Sequence, residues 1–126
     1  MAGIVKEEKG KVATRDGYGK GIVAAGKKNK NVVALDADLS DSTRSEWFQK
    51  EFPDRFFSMG IAEQDMIGTA AGLALSGKIP YASSFAIFGE RAFELTRNII
   101  SRNKLNVKIA GSHAGLHTGE DGKSAQ

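Results

Sequence analysis

The residues best suited to chemistry lie in the stretch Gly60-Ile61-Ala62-Glu63-Gln64-Asp65-Met66. An apolar run, Arg55-Phe56-Phe57-Ser58-Met59, precedes it, and a helix-like run from Asp65 to Leu75 follows. A strand therefore ends, the chain turns at Gly60, and Glu63 arrives where a helix begins. In a parallel α/β fold that is the sheet edge where ligands sit. A carboxylate at a helix start also has a plainer use, complementing the helix dipole for about 0.3–1 kcal/mol. The same edge should collect three further loops. These carry Asp36, Asp38 and Ser42; then Phe85, Phe88 and Arg91; then His113, His117, Glu120 and Asp121. Such a gathering of ionisable groups reads either as a site or as the solvated polar rim of the sheet.

Several other chemistries are disfavoured by spacing. His113 and His117 are four apart, but Ala114 follows the first where a zinc-protease helix needs Glu, and Gly115 and Gly119 argue for a loop. No metal ligand is expected on this chain. Gly122-Lys123-Ser124 is the end of a phosphate loop without its start, because His117 stands where the first glycine belongs. No dinucleotide fingerprint follows the first strand. The chain has no cysteine, hence no thiolate chemistry and no disulfides. A net charge of +3 without a basic, aromatic-interleaved stripe argues against nucleic acid. No apolar run is long enough for a membrane span and no signal-peptide core opens the chain, so a cytoplasmic location is expected.

These groups need a scaffold, and 126 residues allow at most one domain. Residues 1–11 read as a charged, flexible leader. Thr14 caps a helix that Gly26 and its lysines stop. Asn31 to Asp38 is an apolar run ending in acids, as a strand buried on both faces reads. A polar loop, 39–44, leads to a helix over Ser45 to Phe52, before Pro53. Strands follow at 55–59, 79–86 and 105–110, and helices at 65–75 and 90–102, the last packing through Phe93, Leu95, Ile99 and Ile100. Gly68, Ala70, Ala71, Gly72 and Ala74 make the 65–75 helix slim, for close packing on its own sheet or on a partner. The order is α/β, a parallel sheet with helices on both faces, and its last strand lacks a following helix.

Taken together, Arg55 to Met66, Ala70-Ala71-Gly72-Leu73-Ala74, Leu35-Asp36-Ala37-Asp38-Leu39-Ser40-Asp41-Ser42, Ser84-Phe85-Ala86-Ile87-Phe88 and Gly119-Glu120-Asp121-Gly122 resemble the pyrimidine-binding domain of transketolases. The resemblance spans roughly residues 12–126. It implies that Glu63 activates thiamine diphosphate by a hydrogen bond to a pyrimidine ring nitrogen, and that Phe85 and Phe88 pack on that ring. Arg91 stands where many relatives line the pyrimidine pocket with Tyr, which implies a cofactor-binding position; pairing with Glu90 or Glu94, or serving another subunit, are the other options. Arg15, Ser42 and His113 match contacts to a sugar phosphate. Asp38 matches the acid that reads substrate hydroxyls, and Asp121 lies in a loop near the substrate.

The chain departs from the family at Ala125, which replaces a substrate-contacting His, and Ala can neither donate a hydrogen bond nor move a proton. The Gly-Asp-Gly…Asn motif that binds diphosphate and Mg in this family is absent, as is the family's C-terminal domain. The implied molecule is thus half of a split transketolase, C-terminally incomplete and inactive alone. It would need a diphosphate-binding partner chain and phosphosugar substrates, in a homo- or hetero-oligomer. A deoxyxylulose-phosphate synthase fragment and a catalytically incompetent docking or regulatory fragment are the alternatives.

Overall fold

The run Val32-Val33-Ala34-Leu35-Asp36 forms a strand buried along its whole length, and the rest of the molecule is built around it. The computed structural model describes residues 12–116 and 119–125. The expected leader, His117 and Gln126 lie outside the described residues. The elements are α1 (Thr14–Lys28), β1 (Val32–Asp36), α2 (Ser40–Thr43), α3 (Glu46–Glu51), β2 (Phe56–Ser58), α4 (Glu63–Leu75), β3 (Ile79–Phe85), α5 (Ala86–Gly89), α6 (Phe93–Leu95) and β4 (Lys108–Ser112). All strand pairs are parallel, in the order β2-β1-β3-β4.

Alternate residues of β1 point to opposite faces and so build two cores. On one face Val32 and Ala34 meet Ile22 and Phe48, with Tyr18, Phe52, Phe56 and Tyr81 packed around them. On the other, Val33 and Leu35 meet Met66, Ile67, Ala70, Ala71, Ala92 and Ile100. Helices α1 and α3 thus cover one face, and α4 with the segment after β3 covers the other. Among the described residues no helix is long and apolar enough to cross a membrane.

Several expectations from the sequence need correction. Thr14 is not the cap of α1. Ala13 holds that position without a side-chain bond, and Thr14 is already helical. Nor does Gly26 stop the helix, which runs to Lys28 and closes where the Asn29 N–H reaches the Ala25 carbonyl. Gly26 is instead buried in the helix interior, where a Cβ would sit 2.6 Å from the Phe48 ring and 2.7 Å from Phe52. It is glycine because two aromatic rings occupy the space. Gly26→Ala should therefore destabilise the fold by about 1–3 kcal/mol through overpacking, despite its better helix propensity. Gly21→Ala, with nothing within 4 Å of the added atom, should instead be neutral or stabilising by up to ~1 kcal/mol. Urea unfolding of the two variants checks the contrast.

The loop 39–44 contains the helical turn α2. The segment expected as one helix over 90–102 starts at Ala86 and changes pitch three times: α5, a 3-10 turn at Glu90–Ala92, α6, and a π-helical turn at Thr96–Ser101. Each change shifts the angular phase of the side chains. As a result Phe93, expected to pack, is 65% exposed, and Ile99 is exposed too, while Ala92 and Ile100 go inward. The wide last turn also moves the final strand. Leu105 N–H bonds to the Ile100 carbonyl, so Leu105 is not available to the sheet and β4 begins at Lys108 rather than at 105. In the slim helix α4, Ala70 and Ala71 lie against the sheet, whereas a Cβ on Gly72 would meet nothing. Packing on its own sheet thus explains Ala70 and Ala71.

Candidate functional site

All four strands end on one edge, in register. Asp36 lies opposite Ser58 on one side and Ser83 on the other, and Phe85 lies opposite Ser112. The chain leaving β1 crosses the α1–α3 face to reach β2, and the chain leaving β3 crosses the opposite face to reach β4. The strand order therefore reverses between β1 and β3, and ligands of open α/β sheets bind outside the strand ends at such a point. Three of the four exits turn through a left-handed residue: Asp38 (φ 63°), Gly60 (φ 67°) and His113 (φ 54°). For Asp38 and His113 that conformation is costly and needs surrounding contacts to hold it, a feature concentrated at binding sites.

Glu63 is the first residue of α4 and is 2% exposed. It heads the buried row Glu63, Met66, Ile67, Ala70, Ala71, whose spacing of three and four is the core-facing stripe of a helix. The exposed acid of that first turn is Asp65, which is the one placed to serve the helix dipole. Glu63 thus occupies a core position, where an ionised carboxylate is costly unless paired. Its partner is Arg91, whose Nη1 donates to Glu63 Oε2 at 3.0 Å. Pairing of Arg91 with Glu90 or Glu94 does not occur. Glu94 is engaged by Arg97 at 2.8 and 3.0 Å and by Asn98 at 2.7 Å.

The exits of β3 and β4 carry an aromatic cluster. Phe85 stacks on Phe88 with ring centroids 5.4 Å apart and on His113 at 3.8 Å. Phe85 is buried, and Phe88 only half-buried, so Phe88 offers the more accessible ring. The His113 ring lies 2.8 Å from the Ser112 hydroxyl at Nδ1. Burial holds the His113 pKa below the usual 6.5; the Arg15 charge acts in the same direction and Asp121 against it. Arg15, His113 and Asp121 therefore share one electrostatic neighbourhood although they come from opposite ends of the chain. The fold favours neutral His113, so its contribution to stability is present above pH 6.5 and is lost as the pH falls below that value. An NMR titration should give a midpoint below 6.5, and His113→Asn should flatten the stability profile on the acid side.

The β1 exit carries Asp38, exposed, and Ser42, half-buried. It starts from Asp36, which is 1% exposed. Its carboxylate accepts from Leu39 N–H at 2.6 Å, Thr43 Oγ1 at 3.1 Å, Ser45 Oγ at 3.0 Å and Ser83 Oγ at 3.4 Å. Burial raises the Asp36 pKa, and these four donors work against that rise. Nearby, burial pushes the Tyr18 hydroxyl up to about 12. Residue types alone rank Asp36 with the other edge acids; only the density of hydroxyls at 40, 42, 43 and 45 hints that it is enclosed.

A cavity of about 260 Å³ adjoins Phe85, lined among others by Met66, Ser84, Gly89, Glu90 and Ile109. A larger groove of about 400 Å³ runs between α1 and α3 on the opposite face and carries none of the edge residues. Glu120 and Asp121 are exposed and Ala125 is 1% exposed in the last 3-10 turn. Among the described residues no three His, Cys, Asp or Glu side chains are grouped to hold a metal.

Residues 10–126 match the family model described as transketolase, pyrimidine binding domain. A protein named as the C-terminal section of a transketolase in Methanocaldococcus jannaschii is 58% identical over 113 residues, 89% of this chain and 36% of the relative. Human transketolase is 43% identical over 115 residues, 90% of this chain and 18% of the human protein. A solved structure of a split-gene transketolase, an inactive beta4 tetramer, superimposes with a TM-score of 0.73 at 58% identity, covering 81% of this chain and 34% of that one. The chain thus spans about a third of its archaeal relative and less than a fifth of the human one.

Proposed function

This chain belongs to the transketolase pyrimidine-binding domain family, and on that premise we propose that it supplies the pyrimidine side of a thiamine diphosphate site shared with a diphosphate-binding partner chain. The reaction is transfer of a two-carbon ketol unit between phosphosugars. The observation that carries this reading is Glu63: an enclosed acid on the core-facing row of α4, at the strand-end edge of the sheet, paired with Arg91 of the segment that also carries the half-buried Phe88.

The donor set fits the group. A flat heteroaromatic ring with a basic nitrogen asks for an apolar wall and one carboxyl function, and Phe88, Phe85 and Glu63 are of those types. Bound thiamine diphosphate supplies the carbon nucleophile and the electron sink that sugar carbonyl chemistry requires. Glu63 holds the proton shared with the ring nitrogen, and Arg91 orients and balances its carboxylate. Asp38 reads substrate hydroxyls, Asp121 borders the sugar, and Arg15, Ser42 and His113 take the sugar phosphate. The ligands for Mg belong to the partner chain, and the working unit is a homo- or hetero-oligomer.

Ala125 favours a second reading, a docking fragment without turnover, because a buried methyl stands where proton handling is expected. One experiment separates the two. Ketol transfer from xylulose to ribose phosphate is measured with thiamine diphosphate and magnesium for this chain alone, and then mixed with the diphosphate-binding chain of a split transketolase. Turnover confined to the mixture is expected. A mixture that assembles but neither binds thiamine diphosphate nor turns over would overturn the proposal.

A further inference from the structure

We infer that Asp36 is a positioning residue that fixes the substrate loop 37–45, an inference that rests on the transketolase reading above for what the loop binds. Asp36 is the last residue of β1 and sits at the reversal point between β1 and β3. Its two carboxylate oxygens face two directions. Oδ1 accepts the Leu39 N–H at 2.6 Å and so closes a turn around Asp38. Oδ2 accepts from Thr43 and Ser45, beyond Ser42, and from Ser83 of the neighbouring strand. One buried side chain therefore grips the loop on both sides of Asp38 and Ser42 and ties it to the strand that ends in Phe85.

The grip has a local purpose. Asp38 has φ 63°, a conformation that costs an L-residue free energy and persists only where neighbouring contacts over-determine it. The Leu39 bond supplies that constraint directly next to the strained residue. Asp38 is exposed, so the hydrogen bonding of its neighbours, rather than burial, must hold it. Asp36 itself is too buried to touch a sugar; it acts through Asp38 and Ser42. Misplacing a substrate-positioning loop by an ångström is enough to weaken productive binding severely.

The test uses the mixed chains, varying the phosphosugar concentration. Asp36→Ala should raise KM about tenfold or more, since it leaves the Leu39 N–H without its acceptor, unties Thr43, Ser45 and Ser83 from a common centre and frees Asp38, while kcat and thiamine diphosphate affinity stay within about threefold. Asp36→Asn should rescue most of the effect, because its amide oxygen can still accept from Leu39, while its two amide hydrogens serve two of the hydroxyls and Thr43 and Ser83 have the Leu39 and Leu35 carbonyls as other acceptors. In the chain alone, the Leu39 amide should lose its slow hydrogen exchange in Asp36→Ala while β1 and β3 amides keep theirs. Unchanged KM, or a KM rise matched by an equal loss of cofactor affinity, overturns the inference. If Asp36→Ala does not fold, Thr43→Val takes its place, with a smaller KM rise expected and wild-type KM as the overturning result. Failure of the wild-type mixture to turn over would count against the transketolase reading alone; the Leu39 exchange result then decides the grip separately.

Discussion

Glu63→Ala is expected to lower ketol transfer by the mixed chains about 10²–10⁴-fold, the range lost with a proton-handling group, while the chain stays folded. The expectation combines two features that rarely coincide. Glu63 is 2% exposed on the core-facing row of α4, where an ordinary core residue cut to alanine loses packing and several kcal/mol. Glu63 is a carboxylate, however, and its removal also relieves the burial of a charge. The Arg91 side chain left behind is 58% exposed and can be rehydrated. The net stability change should therefore be small, within about 1 kcal/mol of wild type. A purely structural Glu63 would show the opposite pattern, with stability lost and the activity per folded molecule kept. Urea unfolding of the chain and turnover of the mixture, measured on the same preparation, distinguish the two. Retention of more than about a tenth of wild-type activity would end the case for Glu63 as the activating acid.

Arg91→Met should destabilise the chain by about 1–3 kcal/mol. Breaking a buried ion pair from one side costs about 3–5 kcal/mol because the remaining charge stays uncompensated. Half of that is a fairer figure here, since Arg91 is mostly exposed and water screens it, whereas its partner is enclosed. The cost should vanish in the Glu63→Gln background, where no buried charge remains. A double-mutant cycle thus reads the pair directly, with a coupling of about 1–3 kcal/mol expected and additivity within about 0.5 kcal/mol as the refuting result. The i,i+3 pair Glu94–Arg97, exposed on both sides, is the natural control and should show little coupling.

Much of this molecule was legible in its residues. The order of strands and helices followed from apolar runs and turn residues. The burial of β1 on both faces showed in its unbroken Val-Val-Ala-Leu. The convergence of four loops followed from parallel topology. The row Glu63, Met66, Ile67, Ala70, Ala71 also has a local period of three and four, but a helix expected from Asp65 leaves Glu63 off it; the helix start at Glu63 is what marks that residue as inward-facing rather than as a dipole partner. These features depend on residues within one or two turns of each other, and local sterics and hydrophobic periodicity set them.

Only the tertiary structure decided who pairs with whom. Arg91 had acids next to it at 90 and 94, yet it meets Glu63, 28 residues away, because the changing pitch of 86–101 turns it toward α4. Gly26 looked like a helix stop and is a seat for Phe48 and Phe52. Leu105 looked like the start of a strand and is held by the turn before it. Asp36 looked like one acid among several and is the enclosed centre of four hydrogen bonds. In each case the deciding contact joins segments whose approach is set by sheet order and helix phase, quantities that no window of neighbouring residues contains.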